Sequence, residues 1–335
     1  MKKKNFWHKK NVLITGITGF VGSNLAKNLI ENKANITGIG KSQKVESLLF
    51  YENLDKKCNL VFGNILDKDL IQNTIRKYNI EICFHLAAQI EVGSAKQYPF
   101  ETWESNIRGT YNILEAIRTS EKNVKAIIIA SSDKAYGEYG IKKMPYKENY
   151  ELKPIFPYDT SKACADMIAR SYASKLYKLP IIITRFSNIF GPGQLNFTAL
   201  IPEAIRSCLL NYKFLSRSNG RGIRDFIYVD DIVDVYKLLA EKIFKNPKKY
   251  TGEIFNAGTG KKYSIKYIVS KIFAYGNKNT KNIFNKNKKM QGEILVQYMN
   301  YKKLNKYFSW KPKNNFEKVL PSLFEWYKKY LFKNK

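Results

Sequence analysis

Short apolar runs alternate with amphipathic stretches through the first half of the chain. The segments Asn11–Ile14, Asn35–Ile39, Asn59–Phe62, Ile82–Leu86, Lys125–Ala130 and Ile181–Thr184 read as buried strands. Between them, Asn24–Glu31, Lys68–Lys77, Ile107–Arg118 and Lys162–Leu176 repeat apolar residues every three or four positions, as an amphipathic helix does. A β-α-β-α order predicts an α/β fold, a Rossmann-type doubly wound parallel sheet. After Asn188 the rhythm changes: a Gly191–Gly193 turn, a helix-like Ala199–Leu210, a polar Ser216–Arg224, then a strand and helix through Phe226–Lys245. A second, smaller α/β unit begins there. The Asn- and Lys-rich stretch Gly276–Met290 has little periodicity and reads as a surface loop, and no internal repeat is present.

Length and composition narrow the class. At roughly 150 residues per domain, 335 residues make about two domains. With 44% apolar residues, 20 Phe, 23 Tyr and only 19 Gly and 10 Pro, the chain is neither disordered nor collagenous. The 58 Lys and Arg against 28 Asp and Glu give a net charge of +30. These positive residues are spread along the chain rather than gathered into one arm, which argues against a nucleic-acid partner and suits a small anionic substrate. Four cysteines (Cys58, Cys83, Cys164, Cys208) lie far apart, without a CxxC pair and with two histidines in the whole chain, so neither a metal site nor a disulfide framework is expected. No run approaches the ~20 apolar residues of a membrane span, and Met1–Lys10 lacks the apolar core of a signal peptide, so the expected location is cytoplasmic with no membrane partner.

The sharpest chemical signal is Thr15-Gly16-Ile17-Thr18-Gly19-Phe20-Val21-Gly22, which follows a strand and opens a helix. Glycines there permit a tight turn and close backbone approach to a pyrophosphate, and the helix start offers unpaired N–H groups to its oxygens. Dinucleotide binding through Gly16, Thr18, Gly19, Phe20, Val21 and Gly22 is the expectation.

The GxxGxxG spacing resembles the extended short-chain dehydrogenase/reductase superfamily, the NAD-dependent epimerase/dehydratase family. Further motifs of that family follow in order: His85-Leu86-Ala87-Ala88, Asn106-Ile107-Arg108-Gly109-Thr110, Ser131-Ser132-Asp133-Lys134-Ala135-Tyr136-Gly137, Tyr158-Asp159-Thr160-Ser161-Lys162, Arg185-Phe186-Ser187-Asn188-Ile189-Phe190-Gly191 and Arg224-Asp225-Phe226-Ile227-Tyr228-Val229-Asp230-Asp231. The resemblance covers almost the whole chain. It implies a cofactor-binding Rossmann domain over residues 10–187 plus 226–257 and a substrate domain over 188–225 plus 258–335.

On a helix, Tyr158 and Lys162 share a face, so the ammonium can lower the phenol's pKa from about 10 toward working pH and make Tyr158 a base. The resemblance assigns Ser132, Tyr158 and Lys162 to the family's Ser-Tyr-Lys set, which removes a proton from a sugar hydroxyl as hydride leaves for the nicotinamide. Nucleotide-sugar 4,6-dehydratases place an Asp directly after the Ser, where it protonates the departing C6 hydroxyl; here it is Asp133. The next residue is Lys134, and the Ser-Asp-Lys order looks like CDP-glucose 4,6-dehydratases. Lys134 either acts as a base when neutral or stays charged and stabilises an enolate. The implied cycle takes hydride from C4, eliminates water across C5–C6 and returns hydride to C6, regenerating a tightly bound cofactor. A nucleotide-sugar 4-epimerase or reductase is the alternative on the same scaffold.

About twenty residues past the glycine turn, where NAD-specific members carry an acid, the chain has Gly40-Lys41-Ser42. Lys41 and Ser42 can hold a 2′-phosphate, so NAD and NADP both stand. The resemblance adds Asn64, Ile65, Leu86, Ala87, Ala88, Asn106, Tyr158 and Lys162 to the cofactor contacts. For the nucleotide-sugar substrate it gives Asn188 and Arg224 at the diphosphate, with Arg224 as a planar fork. Asn196 and Leu200 match the segment that wraps the nucleotide. Helices around Ile107–Arg118 and Lys162–Leu176 match the family's dimer interface, so a homodimer is expected.

Overall fold

The computed structural model describes residues 5–43, 45–121, 124–216, 218–279, 283–284 and 294–333. The chain divides into two compact units, Met1–Gly137 with Tyr150–Arg185 and Val233–Phe255, and Glu138–Asn149 with Phe186–Ile232 and Asn256–Lys335.

Seven strands make the main sheet: β1 (Asn11–Thr15), β2 (Asn35–Gly40), β3 (Asn59–Phe62), β4 (Ile82–His85), β5 (Ala126–Ala130), β6 (Ile181–Phe186) and β7 (Ile254–Ala257). Their order is β7-β6-β5-β4-β1-β2-β3. The five pairs linking β3 through β6 all run parallel. The fold is the doubly wound α/β sheet that the alternating pattern predicts. Helices cover both faces, so central strands bury both sides and read as unbroken apolar runs: Val12, Leu13 and Ile14 of β1 and Ile127 and Ile128 of β5 have no exposed surface. The chain leaves β1 to one side for β2 and to the other for β4, and the crevice at such a reversal is where open α/β sheets bind ligands.

Four helices bear on the site: α1 (Phe20–Glu31), α2 (Lys68–Lys77), α3 (Gly109–Arg118) and α4 (Pro157–Ala173). The pattern predicts the last from Lys162, but the helix starts five residues earlier because Pro157 occupies its first turn, where a missing N–H costs nothing. A π-helical turn, Glu104–Arg108, leads directly into α3.

The second unit has its own core, in which Ile205, Ile268, Ile272, Phe316, Leu323 and Tyr327 pack together. Two short ladders brace it, Asn188–Phe190 parallel to Phe226–Tyr228 and Ile223–Arg224 antiparallel to Tyr263–Ser264. Between them Asp225 turns inward and accepts from Thr259 N (2.9 Å), Gly260 N (3.0 Å) and Met299 N (3.2 Å), pinning two segments with one carboxylate. Most of the predicted surface loop Gly276–Met290 lies outside the described residues. Among the described residues no helix is long and apolar enough to cross a membrane, and no group of three or more His, Cys, Asp or Glu could hold a metal ion.

Candidate active site

A cavity of about 420 Å³ opens at the carboxyl ends of β1 to β4, in the first unit. Its lining includes Gly16, Thr18, Gly19, Phe20, Val21, Gly22, Lys41, Asn64, Ile65, Leu86, Ala87 and Ala88, all expected from the sequence. Ile39, Gly40, Gly63, Gln89, Ile90 and Ser105 line it as well; they neighbour the predicted residues, but no motif singles them out. Ser42, Asn106, Tyr158 and Lys162 are not part of its wall.

The glycine turn can be tested for fit to a dinucleotide. Gly16 has φ +71°, and a Cβ there would lie 2.9 Å from the Ala87 backbone; at Gly22 a Cβ would sit 2.2 Å from the Gly16 carbonyl oxygen. Any side chain at either position would force the turn off the strand ends. Gly19 caps α1 without a side-chain hydrogen bond, so the helix start keeps backbone donors for an anion. Among the described residues no carboxylate lines the cavity, and Lys41 does. The donor set and shape fit a dinucleotide phosphate.

Behind the wall, polar groups fix the strand ends. His85 is buried, with Nδ1 2.8 Å from Thr15 Oγ1 and Nε2 3.1 Å from Thr110 Oγ1. Burial lowers its pKa to about 3, which keeps the ring neutral. Asn106, in the π turn, accepts from Gln89 N (2.7 Å) and donates to Gln89 O (2.9 Å) and Ser161 Oγ (2.8 Å). Ser161 in turn donates to Tyr158 O at 2.7 Å, so Asn106 ties the cavity edge to the first turn of α4.

The turn Asp133–Tyr136 after β5 packs against α4 and brings Ser132 and Asp133 to Tyr158. Ser132 Oγ caps the turn by accepting from Lys134 N (3.2 Å), donates to Asp133 Oδ1 (3.1 Å) and hydrogen-bonds the Tyr158 phenol. Asp133 is buried and Lys134 half-buried. Lys162 Nζ donates to Ala130 O at 2.7 Å; burial pulls its pKa down to about 8, with Asp166, one turn on, opposing the fall.

One sequence expectation is corrected. Tyr158 was expected to have its phenol pKa lowered by Lys162; instead it is pushed up, first by burial and then by the neighbouring Asp133 carboxylate, with the Ser132 hydrogen bond only partly offsetting this. Periodicity puts Tyr158 and Lys162 on one face but carries no information on how dry that face is. Two further features escaped the sequence reading. Asp159, beside Tyr158, is 3% exposed, and its carboxyl is pushed up to about 6 by burial. Arg185 Nε and Nη2 make a buried fork onto Asp166 Oδ2 and Oδ1, both at 2.8 Å.

The four residues expected to bind substrate all fall in the second unit. Asn188 Nδ2 donates to Asp225 O (3.3 Å); Arg224 is 5% exposed, with Nη1 on Ile223 O (2.9 Å) and Leu295 O (3.3 Å). Asn196 Oδ1 accepts from Thr198 N (2.9 Å), and Leu200 opens the helix Leu200–Leu209.

Residues 13–323 match the family model described as GDP-mannose 4,6 dehydratase. The chain belongs to that family. Within it, the chain is similar to the dTDP-D-glucose 4,6-dehydratase of Dictyostelium discoideum, 32% identical over 289 residues, an alignment that covers 81% of this chain but 63% of that protein. It is similar also to the CDP-glucose 4,6-dehydratase of Salmonella typhimurium, 28% identical over 99% of this chain and 94% of that one. Among solved structures, the dTDP-glucose 4,6-dehydratase of Bacillus anthracis in complex with NAD superposes with a TM-score of 0.83 at 28% identity, covering 96% of this chain and 97% of that one.

Proposed function

We propose that this member of the GDP-mannose 4,6 dehydratase family is a nucleotide-sugar 4,6-dehydratase using NAD or NADP, with CDP-glucose as the first substrate to try. The observation that carries this reading is Asp133, buried directly after Ser132 and close enough to Tyr158 to raise its phenol. An epimerase has no departing hydroxyl to protonate, so a buried acid at that point would be a cost without a use.

The cavity residues would hold the dinucleotide, with Gly16 to Gly22 at the pyrophosphate, Lys41 and Ser42 toward the adenosine ribose, Asn64 and Ile65 toward adenine, and Leu86, Ala87, Ala88, Asn106, Tyr158 and Lys162 toward the nicotinamide half. When bound there, the dinucleotide would supply a hydride acceptor for C4 of the hexose and a hydride donor for C6. Tyr158 removes the C4 hydroxyl proton, and Ser132 orients that hydroxyl. Asp133 gives a proton to the C6 hydroxyl, which leaves as water. Lys134 acts at C5, as the base when neutral or as the counter-charge to the enolate when protonated. Asn188, Arg224, Asn196 and Leu200 take the nucleoside diphosphate, Arg224 by a two-pronged contact. The carboxylate-free cavity and Lys41 favour trying NADP; the NAD in the Bacillus anthracis relative keeps NAD in the test.

Incubation with CDP-glucose, dTDP-glucose, GDP-mannose or UDP-N-acetylglucosamine and each cofactor is expected to give, from one of them, a product lighter by one water. A product of unchanged mass from every converted sugar would move the reading to an epimerase. A homodimer belongs to the same proposal. Phe100 and Trp103, just before the π turn, and Met167 on α4 are exposed at 68%, 43% and 59%, apolar side chains that a second copy could cover. Light scattering should therefore give twice the chain mass, and a monomer at micromolar concentration would contradict the dimer.

A further inference from the structure

Oxidation at C4 and water loss at C6 act on one sugar ring, so the groups assigned to the two steps must keep a fixed separation; an error of about 1 Å costs up to about 10²-fold in rate. Tyr158 and Lys162 stand on α4, whereas Asp133 and Lys134 stand on the turn Asp133–Tyr136 after β5. A turn of four residues does not hold its own place. Its backbone is bonded at both ends: Ala135 N donates to Ser132 O (3.2 Å), Gly137 N to Lys134 O (3.0 Å) and Lys153 N to Tyr136 O (3.1 Å). Gly137 has φ +72°, and a Cβ there would lie 2.0 Å from Lys153 O, so the exit from the turn admits no side chain.

The side chain that ends the turn is Tyr136, and it reaches α4 through Arg185 of β6. Arg185 Nε and Nη2 donate to Asp166 Oδ2 and Oδ1 of α4, both at 2.8 Å. The same guanidinium lies 4.7 Å over the Tyr136 ring and hydrogen-bonds its hydroxyl. None of the three residues exposes more than 1% of its surface, and all belong to the first unit.

We propose that Arg185 and Tyr136 are positioning residues: the buried guanidinium ties the turn that carries Asp133 and Lys134 to the helix that carries Tyr158 and Lys162. For the tasks of those four residues this rests on the dehydratase reading; the tie itself does not.

Apolar side chains would fill the same space without burying a charge. What a charged fork adds is direction. Two parallel N–H···O bonds fix the guanidinium plane against α4, and a ring held against that plane and bonded at its hydroxyl has one place to lie. Tyr136 stands two residues after Lys134 and three after Asp133 inside a hydrogen-bonded turn, so the place of the ring sets theirs. Asp166 stands one helical turn after Lys162, so the other end of the tie is fixed to the pair assigned to C4.

The test begins with the intact protein and no sugar. Tyr136→Leu removes ring and hydroxyl, Tyr136→Phe the hydroxyl alone, and Asp166→Leu with Arg185→Met exchanges the charged pair for an apolar one. Hydrogen exchange read by mass spectrometry should rise over residues 132–137 by about tenfold more than over β5 in Tyr136→Leu and in the double variant, and by less in Tyr136→Phe. Tyr136→Phe keeps the volume of the ring, and a rise there carries the test where Tyr136→Leu does not fold. A rise no larger over residues 132–137 than over β5 in every folded variant would make these residues fold-holding only and overturn the proposal.

With a sugar that loses water in wild type, stopped-flow absorbance and product mass separate the two steps. In Tyr136→Phe the reduced cofactor should form within about threefold of the wild-type rate while water loss falls about tenfold, with KM within about twofold of wild type. Both steps slowed alike would mark Tyr136 as structural and overturn the proposal. If wild type converts no sugar while hydrogen exchange responds as expected, the dehydratase reading fails and the tie stands.

Discussion

Asp133→Asn should stop water elimination while leaving cofactor binding intact. The asparagine keeps the shape of the turn and can still accept from Ser132, whose hydroxyl donates to Asp133 Oδ1 at 3.1 Å, so the loss falls on proton donation alone. Removing a positioned general acid costs typically 10²- to 10⁴-fold, and a fall of about that size in the rate of water loss is expected. Asp133 does not line the dinucleotide cavity, so the binding constants of NAD and NADP should stay within about twofold of wild type, as for residues that share no contact with a ligand. The reduced cofactor should build up under substrate, because C4 can still be oxidised when C6 cannot lose its hydroxyl. Stopped-flow absorbance with product mass spectrometry reads both. Unchanged turnover would remove Asp133 from the chemistry and with it the main ground for a dehydratase.

The largest effect on stability is expected from Asp166→Ala. Asp166 and Arg185 have side chains 0% and 1% exposed, joined by two hydrogen bonds of 2.8 Å, and the guanidinium lies 4.7 Å over the Tyr136 ring. Removing the carboxylate strands a buried cation that is unable to shed its proton, which costs about 3–5 kcal/mol. For a unit of this size that corresponds to a fall in Tm of roughly 10 °C. Asp166→Leu with Arg185→Met should recover most of the loss, since a well-packed apolar pair replaces the ion pair without a desolvation cost. Asp166 also lies one turn beyond Lys162 and supports its charge, so activity should stay low in the double variant even where stability returns. Calorimetry separates these outcomes. A loss below about 1 kcal/mol in Asp166→Ala would mean that water reaches Arg185 and that the pair works as a surface ion pair does.

The contrast between these two residues shows what a sequence can carry. The sheet was legible because strands buried on both faces must be apolar throughout, as in Ala126–Ala130, and because helices between them repeat their apolar residues with a different period. The glycine turn was legible because Gly16 and Gly22 occupy places where a Cβ collides with backbone, a constraint local to the chain. Asp133 stood out through its place directly after Ser132. Asp166 did not, because its place in the structure comes from burial against a partner distant in sequence, Arg185. The direction of the Tyr158 shift is hidden in the sequence for the same reason. Spacing along a helix gives neighbours on a face, and the dielectric of that face is set by what packs over it. The tie from Asn106 through Ser161 to Tyr158 depends on a π turn that no periodicity announces.

The proposed reaction moves hydride from C4 to C6 within one site while expelling water. It is tested most directly by turning over CDP-glucose, or whichever nucleotide sugar the protein converts, with deuterium at C4. The expected product is a 4-keto-6-deoxy sugar that has lost one water and carries the deuterium at C6. Deuterium returned to C4 in a sugar of unchanged composition would contradict it and establish an epimerase.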